Sequence, residues 1–140
     1  MAYSVKADIL KQITEDQLVG LTDDSDLGSV DDAIVTEMIA RADEVIDGYC
    51  AKRYTVPFGT TPGIIKTISI DIAVYNLYSR RSHVMTEDRK NRYENSMKLL
   101  KDIESGKVSL GVPAPAENPD RLGSYDGNDR IFTRDDMEGF

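Results

Sequence analysis

The chain has 140 residues, 40% hydrophobic and 30% charged, the make-up of one globular domain and not of a disordered or membrane-embedded chain. No run reaches the ~18 apolar residues of a membrane helix, no basic-then-apolar leader opens the chain, and the single cysteine excludes an intrachain disulfide or a multi-cysteine zinc site. Most of the net charge of −8 sits at the ends, with eight acids against two bases in residues 1–32 and seven against three in residues 113–140; lacking a dense basic patch, the chain is not expected to grip DNA or RNA phosphates.

Ser4 is placed to cap a first short helix, with Ile9, Leu10 and Ile13 on its apolar side. Thr14 heads a Thr-Glu-Asp-Gln capping box that opens a second short helix through Leu18, closed by Gly20 and the polar run from Thr22 to Gly28. Asp23, Asp24 and Asp26 cluster there, but without the alternating ligands, central glycine and distant glutamate of an EF-hand loop. Solvated loop acids are the expectation.

Residues 31–54 then read as a long helix. Val35, Met38, Ile39, Ala42, Val45, Ile46 and Tyr49 recur at gaps of three and four, with Glu37, Arg41, Glu44 and Lys52 mostly opposite. Ser29, Asp31 and Asp32 supply the cap and first-turn acids, and Pro57 the stop. Such a helix runs about 35 Å and is expected to be the spine of the domain. Cys50 lies near its apolar side, as a small buried hydrophobe.

A turn-rich connector, TVPFGTTPG, follows, with Thr61 and Pro62 as N-cap and first residue of the next helix. From Ile64 to Ser82 the chain is apolar on more than one side. Ile64, Ile65, Ile68, Ile72, Tyr75 and Leu77 point to a central buried helix, although Ile64–Ile70 alone also permits a strand. Arg80 and Arg81 suit its C-terminal dipole. A third long helix starts at Thr86, carries Tyr93, Met97, Leu100 and Ile103 as its stripe, and stops at Gly106. Lys107–Val112 alternates weakly, as a short extended piece would. Prolines at 113, 115 and 119 mark a stiff linker over 113–120. The expected organisation is an all-α bundle, residues 1–112, of three long helices plus two short N-terminal helices. The linker and an extended C-terminal tail, residues 121–140, complete it.

Catalytic chemistry is hard to place on these residues. His83 is the only histidine and sits in a turn, so zinc lacks a ligand set. No phosphate loop, dinucleotide glycine pattern or nucleophile elbow occurs. Asp43 and the Glu94–Lys98 pair read as solvated helix faces, and Tyr49, Tyr54, Tyr75, Tyr78 and Tyr93 as core or interface aromatics. The expectation is no enzyme, no cofactor and no metal.

Three stretches, ARADEVIDGYCAKRYTVPF, DIAVYNLYSRR and RYENSMKLLKDIESGKVSL, resemble the Mu-like prophage head–tail connector family, as do the opening MAYSVKADIL with LTDD and the closing RIFTRDDMEGF. The resemblance covers nearly the whole chain and implies an all-α adaptor of the virion neck, assembled in the host cytoplasm. Copies would form a ring, about twelve-fold by that likeness, beneath the phage portal protein. The ring would prolong the DNA channel without specific DNA binding and meet a stopper or tail-completion protein. Carried over are Ala42, Ile46, Tyr49, Tyr54 and Pro57 as helix core and the tail from Arg130 to Phe140. An acidic perimeter around a balanced middle suits such a conduit, because negative walls repel phosphates.

In the tail, Ile131, Phe132, Met137 and Phe140 are expected to anchor in a partner groove, with Arg130 and Arg134 pairing partner acids. The alternative is that they fold back on the chain's own helices. A rival function is a small acidic regulatory protein that binds its partner as monomer or dimer.

Overall fold

Side-chain capping sets where three of the five described helices begin, and long-range burial sets where most of them end. The computed structural model describes residues 2–80 and 84–111. Every regular element among them is a helix: α1 (Lys6–Ile9), α2 (Glu15–Thr22), α3 (Asp32–Cys50), α4 (Gly63–Ser79) and α5 (Glu87–Ser105). Three long helices and two short N-terminal ones are thus present, and no helix among the described residues is long and apolar enough to cross a membrane. The 113–120 linker and the 121–140 tail lie outside the described residues, as do Arg81 and His83.

At α2 the capping box closes in both directions: Thr14 Oγ1 accepts from Gln17 N–H, and Gln17 Oε1 accepts from Thr14 N–H. The helix nevertheless runs past Gly20 to Thr22. Gly20 faces outward, and the ~1 kcal/mol it costs in a helix is offset by burying Leu21 and Thr22. Asp31 caps α3 by accepting from Ala33 N–H, and Thr86 caps α5 by accepting from Arg89 N–H. At the far end of α5, Gly106 N–H bonds the Ile103 carbonyl and Lys107 N–H the Asp102 carbonyl, the paired bonds of a Schellman stop. Gly106 has φ +89°, and a Cβ there would sit 3.0 Å from the Arg53 guanidinium.

Several boundaries differ from the sequence expectation. The cap of α1 is Val5, not Ser4; Ser4 is buried, with its hydroxyl 2.8 Å from that of Ser69. The cap of α4 is Pro62, whose extended ψ of 146° keeps it outside the helix, so Thr61 plays no cap role. Ile64–Ile70 is helical. The C-terminal cation Arg80 does more than suit a dipole: its guanidinium donates to the Leu21 carbonyl at 2.8 Å and pairs with Asp24.

The largest difference is in α3, which stops at Cys50 and is therefore about 28 Å long. Arg53 and Tyr54 N–H groups both return to the Cys50 carbonyl, turning the chain so that Tyr54 enters the core. Pro57, expected with the core, lies exposed behind a cis Val56–Pro57 bond, and its neighbour Phe58 is the buried residue.

α3 and α4 pack on each other, and each also touches α1, α2 and α5. The spine is therefore shared by two helices. Ile46, Ile65, Ile68, Ile72, Leu77, Leu100 and Ile103 are essentially removed from solvent between them, each contributing about 1.5–3 kcal/mol of burial. α4 buries residues around much of its circumference, as its all-round apolar sequence requires. α5 covers one side, its start fastened by Arg89, which donates to both the side-chain and main-chain oxygens of Gln12 at 2.8 Å.

Candidate functional site

The N-terminal segment lies as a strap along α3, and what holds it there is a buried polar relay. Tyr3 N–H donates to Asp43 Oδ2 at 3.0 Å, Ser69 Oγ donates to Asp43 Oδ1 at 2.8 Å, and Ser4 Oγ bonds Ser69. The Tyr3 hydroxyl donates to Asp47 and accepts from Phe58 N–H. Its ring lies 5.8 Å from that of Phe58, which in turn lies 6.0 Å from Tyr54. Tyr54 completes the chain of contacts by accepting from Leu110 N–H at 3.1 Å. Both ends of the described chain thus meet the C-terminal end of α3.

Asp43 overturns the solvated-face reading. It is only 7% exposed, and burial pushes its carboxyl up while the Tyr3 amide and Ser69 hydroxyl hold it down, with Asp47 adding a further push upward. Burial also raises Tyr3, reinforced by its bond to Asp47. Cys50 is buried as expected, and its thiol is pushed up to about 11 by that burial and by Asp47.

Between strap and helix runs a groove of about 600 Å³. Val5, Val35, Ile39 and Ala40 give it apolar walls; Asp32, Asp43, Glu44 and Asp47 against Lys6 give it an acidic lining. Lys6 is taken by Asp32 at 2.8 Å; at the Asp43–Asp47 end no cationic side chain among the described residues makes an ion pair, and the N-terminal ammonium helps hold Asp43 down. Val5 is 53% exposed, an apolar side chain facing solvent at the mouth. This arrangement suits an apolar segment that carries positive charge at one end.

At the other end of the strap, burial favours a raised carboxyl at Asp8, but Val5 N–H, Lys66 and Lys11 together hold it below its usual range. A carboxyl lowered in the folded state contributes stability above its unfolded value, and that contribution is lost as pH falls through the folded one. Asp8→Ala is expected to cost about 1–2 kcal/mol at neutral pH. In urea melts repeated down the pH scale, the gap from the parent should close below the ordinary aspartate range.

A smaller hollow, about 200 Å³, lies between α4 and α5 beside Ile68, Asp71, Arg92 and Ser96. Ser96 Oγ reaches Asp71 Oδ2 at 3.4 Å, and the buried Asp71 Oδ1 makes no hydrogen bond of ordinary geometry among the described residues. Burial raises the Asp71 carboxyl against the opposing pull of Arg92, Ser96, Arg89 and Gln12. Among the loop acids, Asp23 spends both oxygens on Leu27 and Gly28 N–H groups, closing the loop on itself.

Of the residues singled out by sequence, Ala42, Ile46, Tyr54, Ile68, Ile72 and Leu100 are buried together in one cluster. Tyr49, Tyr93 and Met97 are half-buried against it, and Tyr75 is half-buried on α4. Tyr75 and Tyr93 stack with centroids 3.7 Å apart and planes 13° from parallel. Arg130, Ile131, Phe132, Arg134, Met137 and Phe140 lie outside the described residues. Sequence reasoning passed over Tyr3 and Phe58, and the one available signal was weak: each is a lone aromatic outside any helical repeat.

The family model described as "Bacteriophage Mu, Gp36" matches residues 3–126. The chain is 29% identical over 110 residues to the "Mu-like prophage FluMu protein gp36" of Haemophilus influenzae, covering 79% of this chain and 76% of that protein. It is 26% identical over 141 residues to "Gene product J" of Escherichia phage Mu, covering 100% of this chain and 94% of that protein.

Proposed function

The chain belongs to the bacteriophage Mu Gp36 family, and from that premise we propose that it is a structural head–tail connector. Copies assemble into a ring beneath the portal protein of a tailed phage, extend the DNA channel, and offer a face to a stopper or tail-completion protein. The reading places the protein in the virion neck and gives it neither catalytic step nor cofactor. What carries it is the match of a phage family over residues 3–126, nearly the whole chain. The fold supports it physically. An apolar, acid-lined groove on the outer side of α3 offers each subunit a docking surface, and weak joints repeated around a closed ring add up through effective concentration.

The tail, residues 121–140, is the anchor in this reading. Deleting it is expected to raise the protein concentration needed for assembly on the portal by about tenfold or more. Negative-stain imaging of the chain mixed with its portal is the test. Rings seated on portals are expected. Particles that stay monomeric or dimeric and ignore the portal would instead favour a small acidic regulatory protein, and unchanged docking after the deletion would remove the anchor role.

A further inference from the structure

The strap–α3 groove has room for an occupant. Its apolar walls end in a mouth where Val5 is 53% exposed. Its charge is graded: Lys6 and Asp32 pair at one end, while at the other Glu44 and Asp47 form no ion pair with a side chain among the described residues and the chain's N-terminal ammonium acts on Asp43. A volume of about 600 Å³ falls in the ~300–1,000 Å³ range that takes a small cluster of buried groups.

The part of the chain outside the described residues contains a matching segment. Residues 130–134, Arg-Ile-Phe-Thr-Arg, set two large apolar side chains between two arginines, and Asp135, Asp136 and Glu138 follow at once. Laid with its arginines at the Glu44–Asp47 end, the segment brings its acids toward Lys6. Charge therefore fixes the direction as well as the fit. Chain length permits the connection: the 18 residues between Gly111 and Arg130 can span roughly 60 Å.

We propose that residues 130–138 of one subunit occupy the strap–α3 groove of a neighbouring copy, with Ile131 and Phe132 between Val5 and Ile39 and with Arg130 and Arg134 against Glu44 and Asp47. The occupant is a second copy because of where the chain departs. Leu110 is bonded to Tyr54, just beyond the C-terminal end of α3. Three prolines in the next nine residues disfavour an immediate turn back along α3, and a course of about 3 Å per residue would carry the segment past the groove's near end at Asp47. The inference rests on the connector reading to the extent that it requires copies side by side.

Two variants test it, Ala40→Cys on the groove wall and Thr133→Cys in the segment, each in its own protein. Cys50 stays in place, since it is buried and its thiol is pushed up to about 11. Mixed and mildly oxidised, they are expected to form a two-chain disulfide at least tenfold faster than Thr133→Cys mixed with Glu94→Cys, a control on the exposed face of α5. Glu44→Arg should slow the cross-link, and Arg134→Glu introduced with it should restore the rate. No excess over the control overturns the inference. So does a double variant that closes the bond within one chain in dilute solution, which assigns the groove to its own tail. Rings that form on the portal without the cross-link would sink this inference and leave the connector reading standing. A cross-link with no affinity for the portal would do the reverse.

Discussion

A Tyr3→Ala chain is expected to lose about 3–5 kcal/mol of stability, a fall of roughly 10–20 °C in Tm for a domain of this size. The ring is 3% exposed and packs on Phe58, so its removal leaves a cavity. The hydroxyl satisfies two groups at once, the Asp47 carboxylate and the Phe58 N–H, and both lose their partner. Tyr3→Phe keeps the ring and isolates that second effect, expected at about 1.5–3 kcal/mol for a hydrogen bond to a charged group. Thermal melts should rank parent, Tyr3→Phe and Tyr3→Ala in that order; equal melting of parent and Tyr3→Phe would deny the hydroxyl a role. The pH dependence follows from the raised tyrosine. The stability it contributes is complete below the ordinary tyrosine value and is lost as pH rises toward the folded one. Alkaline melts should therefore bring Tyr3→Phe and parent together.

Ile46→Ala is the second large effect, at about 2–5 kcal/mol. Ile46 is 0% exposed on α3, a helix that touches every other helix of the bundle, so neighbours cannot collapse into the gap without disturbing several contacts. Urea titration should give a lower midpoint with an unchanged slope, since the surface exposed on unfolding stays the same. Glu37→Gln, on the exposed face of the same helix, is the control and should stay within about 0.5 kcal/mol of the parent. A midpoint for Ile46→Ala as close to the parent as that would remove α3 from the centre of the fold.

What was legible in the sequence was local. Thr14 and Gln17 bond each other across three residues, Thr86 caps its own helix, and α5 ends where Gly106 and Lys107 N–H groups return to the Ile103 and Asp102 carbonyls. Periodicity located the apolar faces of α3 and α5 for the same reason, because a 3.6-residue repeat is written along the chain. The boundaries that moved did so through distant partners. Ser4 leaves its capping role for Ser69, 65 positions away. Arg80 turns to Asp24, and α3 stops early so that Tyr54 can reach Phe58 and Leu110.

The groove was illegible on the same grounds. Asp43 sits one position after Ala42 and reads as a surface acid on a helical wheel, yet a strap 40 positions earlier covers it. Nothing in the spacing of Tyr3 announces that cover. The acidic mouth is one side of a surface assembled from two remote stretches, and only the α3 half carries a periodic signal.

The row of three rings from Tyr54 through Phe58 to Tyr3 also has a mechanical meaning. A tug on the chain beyond Gly111 is delivered through Leu110 sideways into that row, and from Tyr3 into the Asp47 turn of α3. Load is thus shared with α3 before it reaches the last turn of α5. The start and finish of the bundle therefore brace each other, and a tether leaving from this corner pulls on the whole body at once.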